Sequence, residues 1–240
     1  MSCLMNPRRE KGEPLLQGPV LLYLNPAEAG RAGRFATKLN AGRHYLFNSN
    51  LWELDSDGGS FYVCGPAVGA PMAALVLEKL IALGAKKIIV CGTCGSLRPD
   101  LTIGDIILPD SALSAEGVSG HYPLKITPSA ADNLLLLLES FLQDISLPWR
   151  RGAVCSTDAP YREELAEISK YQQKGICAMD MEFSALLSVA AFRRIDLAAI
   201  MVVSDQVHAN QWQAGFKTPL FKQRMRIVAG GLIDYFMQGT

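Results

Sequence analysis

The chain has 240 residues, 49% of them apolar and 19% charged, with 23 lysines and arginines against 23 aspartates and glutamates. This length and composition suit one α/β domain that buries its own core, and exclude a disordered chain or a coiled coil. A formal net charge of +0 offers no overall field for nucleic acid or an anionic membrane, so a small-molecule partner is expected.

Residues 1–17 mix Pro, Gly and charge without periodicity and read as a loose arm in which Arg8 and Arg9 are solvated. Residues 18–240 read as a single domain. The N-terminus lacks the apolar core of a secretion signal and no run approaches the roughly 18 apolar residues of a membrane span, which points to the cytoplasm. The runs PVLLYL (19–24), SFYVCG (60–65), KKIIVCG (86–92), GDIILP (104–109), RGAVCS (151–156) and LAAIMVVS (197–204) are predicted strands, several apolar at consecutive positions as in strands covered on both faces. Between them, Pro71 to Gly84 predicts a helix, and Ser129 is the expected cap of a helix over SAADNLLLLLESFLQDI. Tyr161 to Gln173 reads as an exposed helix closed by Gly175, Glu182 to Arg194 as an apolar one, and Pro219 to Met237 as the last, weakened at Gly230 and Gly231. The expected architecture is a three-layer αβα domain, with a central mixed, mainly parallel sheet flanked by helices.

Six cysteines (Cys3, Cys64, Cys91, Cys94, Cys155, Cys177) mostly lie in apolar runs and fit reduced core residues. Cys91 and Cys94 also have redox or metal spacing, but no second pair accompanies them and His44, His121 and His208 are not spaced as ligands, so no metal is expected.

Three polar clusters follow apolar runs, where ligands collect in open α/β sheets. Gly92-Thr93-Cys94-Gly95-Ser96 reads as a glycine-rich turn able to meet an anion, or as a turn only. Met179-Asp180-Met181-Glu182 opens a helix, and Ser204-Asp205-Gln206 ends a strand; capping alone would also account for these carboxylates.

Taken in order, GPAVGAP (65–71), KKIIVCGTCGSL (86–97), IGDIILPD (103–110), AEGVSGHYP (115–123), STDAPY (156–161), AMDMEFSALL (178–187) and MVVSDQ (201–206) resemble the nucleoside phosphorylase and nucleosidase superfamily over about residues 60 to 225. The resemblance implies cleavage of a nucleoside's N-glycosidic bond without a cofactor, with inorganic phosphate as co-substrate, by a homo-oligomer. It implies Asp205 as the acid at the purine N7, supported by Ser204, with Lys217 assisting. Glu182 would grip the ribose hydroxyls, Met181 would pack on the sugar, and Asp180, standing where Glu is more usual, would also face the substrate. Thr93, with Gly92 and Gly95, would face phosphate. Tyr161 is retained beside the base, although the stacking aromatic before it is Pro160.

The departures concern phosphate. The arginine usual two residues ahead of the first glycine is Val90, and the Gly-Asp-Pro loop followed by Arg is absent, leaving Arg31, Arg34 or Arg43 as substitutes. Hydrolysis by water and a binding protein without turnover are therefore the alternatives. Glu163-Glu164-Leu165-Ala166 stands where uridine-cleaving members carry Gln-x-Arg, which favours a purine-type base. His121 and Tyr122 fit a packed turn, and Trp212 and Phe216 fit either a lid over the base or a loop staple.

Overall fold

The computed structural model describes residues 4–208 and 211–239; Cys3 and the side chain of His208 lie outside the described residues. Strands β1 (Val20–Tyr23), β2 (Arg43–Leu46), β3 (Ser49–Ser56), β4 (Gly59–Gly65), β5 (Lys87–Ser96), β6 (Ile106–Ala115), β7 (Arg150–Thr157), β8 (Ala178–Asp180), β9 (Asp196–His208) and β10 (Gln211–Ala214) form one mixed sheet in the order β10-β9-β6-β7-β8-β5-β1-β4-β3-β2. The long ladders β5/β9 and β6/β7 are parallel. Because β9 also pairs with β5, the strands β5, β9, β6, β7 and β8 close a ring, and the sheet continues outward from it through β1.

Helices α1 (Pro26–Lys38), α2 (Ala70–Ala82), α3 (Asp132–Asp144), α4 (Leu165–Gln173), α5 (Phe183–Arg193) and α6 (Pro219–Met237) flank it. α1 packs on α6, whose Tyr235 meets Phe141 of α3 edge to face, while α2 packs on α5. Val20, Leu21, Leu22, Val90, Ile200 and Val202 are wholly buried, as the unbroken apolar runs require. The arm lies along α2: Leu16 is buried, its amide donates to the Leu83 carbonyl at 2.8 Å, and Glu13 pairs with Lys79 at 2.7 Å.

Three local expectations are corrected. The α3 N-cap is Ala131, while Ser129 bridges to Ser111 as an extended residue. The helix expected from Tyr161 begins at Leu165, because Pro160 to Arg162 forms a 3-10 turn and Glu163 is extended. Gly230 and Gly231 do not interrupt α6, whose buried Val228, Leu232 and Phe236 hold it to the core. Helix α1 and the β2–β3 hairpin were not foreseen: α1 buries small residues (Ala29, Ala32, Gly33, Ala36) in place of large ones, so no run of large apolar side chains marks it.

Candidate active site

The glycine-rich segment is not a turn. Gly92 to Ser96 continues strand β5, in register with β9 on one side. On its other side β1 covers β5 only as far as Cys91 and β8 begins at Gly95, so Gly92 to Cys94 border a notch between two strands. Residues three apart along a strand point to opposite faces, so Cys91 and Cys94 do not face each other. Both are buried with their thiols pushed upward, chiefly by burial, and a redox pair is thereby set aside. Among the described residues no group of His, Cys, Asp or Glu has the makings of a metal site.

Across β5 from the notch lies the last part of β9, which runs on past Asp205 to pair with β10. A bulge between Cys94 and Gly95 brings Gly95 opposite Asp205, so close that a Cβ on Gly95 would stand 2.7 Å from the Asp205 Oδ2. Ser204 Oγ donates to Asp205 Oδ1 at 2.6 Å and also lies 3.2 Å from the Cys94 carbonyl; Trp212 Nε1 donates to Asp205 Oδ2 at 2.9 Å from β10. Ser204 is 2% exposed, so it acts through Asp205. Trp212 thus fastens the acid, while its ring remains largely exposed. Gly215, whose amide donates to the Ser204 carbonyl at 2.8 Å, ties down the turn that carries the exposed Lys217. Phe216 meets Phe221 edge to face.

The floor comes from the junction of β8 and α5. Asp180 is buried and fully engaged: Oδ1 accepts from Ser156 Oγ, and Oδ2 accepts the amides of Glu182 at 2.9 Å and Phe183 at 2.7 Å. It ties down the start of α5, and both its oxygens are taken by protein donors. Glu182 is the N-cap position of that helix, and its Oε1 accepts the Gly69 amide at 2.5 Å, joining α5 to the start of α2. Burial, then the neighbouring Asp180, pushes its carboxyl up to about 7. Met181 beside it is half-buried.

One wall of the notch is the end of β1. Asn25 Nδ2 donates to Thr93 Oγ1 at 3.3 Å, and the buried Asn25 Oδ1 has no hydrogen-bond partner among the described residues. A Cβ on Gly92 would meet Leu24 at 2.9 Å, so glycine is required for β1 to end here. Val90 is wholly buried. Arg31 is held by Glu28 within α1, Arg34 is exposed on the same helix, and Arg43 stacks over Tyr45 at 4.7 Å on the outermost strand, four strands from β5. Thr93 thus borders the notch, Met181 and Glu182 follow β8 at its edge, and Ser204 and Asp205 lie across β5 on β9; Arg43 is remote from all of them, and Tyr161 is 97% exposed in its 3-10 turn.

Two contributors escaped the sequence reading. Asn25, in a segment read only for its missing phosphate arginine, contacts Thr93. Glu163, noted only as an unlike residue in place of glutamine, is half-buried between the outward Arg162 and Glu164. All three residues are charged, so no local pattern set Glu163 apart in the sequence.

Residues 30–233 match the model of the phosphorylase superfamily. A guanosine phosphorylase of Halorubrum lacusprofundi is 26% identical over 187 residues, covering 77% of this chain and 78% of its own. Among solved structures, the purine nucleoside phosphorylase of Toxoplasma gondii in complex with immucillin-H superposes with a TM-score of 0.80 at 21% identity, over 91% of this chain and 90% of that one. The uridine phosphorylase of Vibrio fischeri ES114 gives 0.77 at 22% identity, over 96% and 97%. The matched span takes in every strand from β2 to β10 and the whole of the notch except Asn25 and Glu28, and on that footing the chain belongs to the phosphorylase superfamily.

Proposed function

We propose that this protein cleaves the N-glycosidic bond of a purine-type nucleoside, by phosphorolysis to the free base and a sugar 1-phosphate. The observation that carries the reading is Asp205, a carboxylate fixed by Ser204 and Trp212 near the end of β9 and paired with Gly95, two residues beyond Thr93 on β5. Bond cleavage sends electrons into the base and leaves positive charge on the sugar. Asp205 is then the carboxylate set against N7 of the base, Glu182 grips the ribose hydroxyls, and Met181 lines the sugar. Thr93 and Asn25 receive the nucleophile, and Lys217 borders the base side. The absence of a Gln-x-Arg pair at 163–166 supports a purine over a pyrimidine. A homo-oligomer acting in the cytoplasm belongs to the same reading.

A second reading, hydrolysis, is favoured by one specific arrangement: Val90 is in the core and Arg31 is engaged by Glu28, so neither supplies a free guanidinium to a phosphate. Release of free base from inosine, guanosine, adenosine and uridine, measured with and without phosphate, separates the two. Phosphate-dependent release with sugar 1-phosphate as product supports phosphorolysis; equal release without phosphate supports water. No release from any of them under either condition sinks the enzymatic reading.

A further inference from the structure

Glu163 lies just beyond the end of β7, between the 3-10 turn Pro160–Arg162 and α4, with extended backbone (φ −68°, ψ 110°). Its neighbours Arg162 and Glu164 pair with each other at 3.8 Å in solvent, at 80% and 70% side-chain exposure, while Glu163 turns inward. It makes no ion pair or hydrogen bond among the described residues. Strands β7, β8, β5 and β9 are consecutive neighbours around the ring, and Asp205, near the end of β9, lies close enough for its charge to act on Glu163. The titratable groups around Glu163 are few. From β9 comes Asp205, the charge that acts on it; from β7 comes Cys155, and from α4 Tyr171. The Cys155 thiol is pushed up to about 11 by burial and the Tyr171 hydroxyl is raised, so both are neutral at pH 7.

The two carboxyl groups do not share an environment. Asp205 accepts one hydrogen bond on each oxygen, from a hydroxyl and an indole N–H. Glu163 accepts none among the described residues, and burial followed by the Asp205 charge pushes it up to about 7, so a large share of it keeps its proton at neutral pH. Carboxyl groups held in environments this different are how acid and base roles are divided.

We propose that Glu163 is the proton donor to the departing base, and that Asp205 is the carboxylate that stabilises the positive charge this proton brings to the ring. The step rests on the nucleoside-cleaving reading above. The bond from C1′ to N9 breaks and its electron pair enters the purine; the Glu163 Oε–H proton passes to N7; an oxygen of phosphate or water bonds to C1′. Glu163 is left as a carboxylate and regains a proton from solvent. The assignment is the same for either nucleophile.

The experiment compares inosine with 7-methylguanosine, whose base already carries a positive charge and needs no proton to leave. For wild type, kcat/KM on inosine is expected to be level below pH 7 and to fall tenfold per unit above it, and the fall is absent for 7-methylguanosine. Glu163→Gln should lose about 100-fold on inosine and stay within about threefold of wild type on 7-methylguanosine, which also reports that it folds. Asp205→Asn should move the inosine limb to lower pH, since the charge that holds the Glu163 proton is gone. Equal losses on both substrates in Glu163→Gln, or an unaltered inosine limb, would overturn the proposal while leaving nucleoside cleavage standing. A wild-type protein that cleaves neither nucleoside overturns the underlying reading and this proposal with it.

Discussion

At the base end of the notch the polar groups are paired so as to divide a proton: Asp205 has two donors, Glu163 has none, and Ser204, Trp212 and Gly95 fix the distance between the acid and β5. At the acceptor end the arrangement is inward-looking. Asn25 bonds Thr93, Glu28 engages Arg31, and the strand position that would carry a cation is a buried valine. A phosphate dianion needs positive charge to compensate the water it gives up, whereas a leaving base needs only a proton delivered at the right moment. On the proposed reading, the difference teaches that this chain invests in activating the leaving group, and that attraction of the nucleophile depends on weaker neutral donors.

The sharpest way to break this comparison is at Asp205. Asp205→Asn should lower kcat/KM for a purine nucleoside by ~100-fold or more while the far-ultraviolet spectrum is unchanged, since the side chain is partly exposed. A loss under about threefold would remove the base end from its assigned role. Next in size is Gly95→Ala. The added methyl would lie 2.7 Å from the Asp205 carboxylate, so the acid must move. Displacement of a reacting group by a fraction of an ångström supports an expected loss of about tenfold in kcat, with KM less affected. Wild-type kinetics in this variant would mean that the separation of Asp205 from β5 is unimportant.

The acceptor end is tested by releasing its cation. Glu28→Gln frees the Arg31 guanidinium, and the phosphate concentration giving half-maximal rate should fall about threefold, the scale of one partly exposed charge interaction. An unchanged phosphate response, together with release of base in phosphate-free buffer, would place the nucleophile outside the reach of Arg31 and favour water.

How far these features were legible in the sequence follows from range. The strands β1, β4 to β7 and β9 announced themselves through apolar runs, several of them unbroken as in doubly covered strands, while α2 carried Pro and Gly at its ends, α6 Pro at its start, and α5 a largely apolar stretch. Asp205 and Glu182 were legible because each ends an apolar run. The closure of the ring was not: β8 is three residues long, and its pairing with β5 through Gly95 and Met179 is set by packing between segments more than eighty residues apart. For the same reason Asp180 read as a substrate contact, although its oxygens are taken by Ser156 and by two amides of its own helix start. A local pattern shows that a carboxylate is present. Only the fold shows which partners consume it.

The smallest expected effect is on stability, and it distinguishes Glu163 from Asp205 without any substrate. Glu163 has its carboxyl raised from 4.5 to about 7 on folding, chiefly by burial and secondarily by Asp205. Below pH 4.5 it is protonated in both the folded and the unfolded chain, so it contributes no pH dependence there. As the pH climbs through that value the unfolded chain ionises first, and the folded protein loses stability until Glu163 itself ionises near 7. Because the group is only half-buried, solvent screening trims the penalty to about 1 kcal/mol. Glu163→Gln removes it, so the variant should match wild type near pH 4.5 and melt about 2–4 °C higher at pH 8. Asp205→Asn, by removing the neighbouring charge, should produce part of the same gain in the same pH range, and the two substitutions together should gain less than their sum because they relieve one shared repulsion. Strictly additive shifts, or a gain that is independent of pH, would show that the two carboxyl groups do not sense each other.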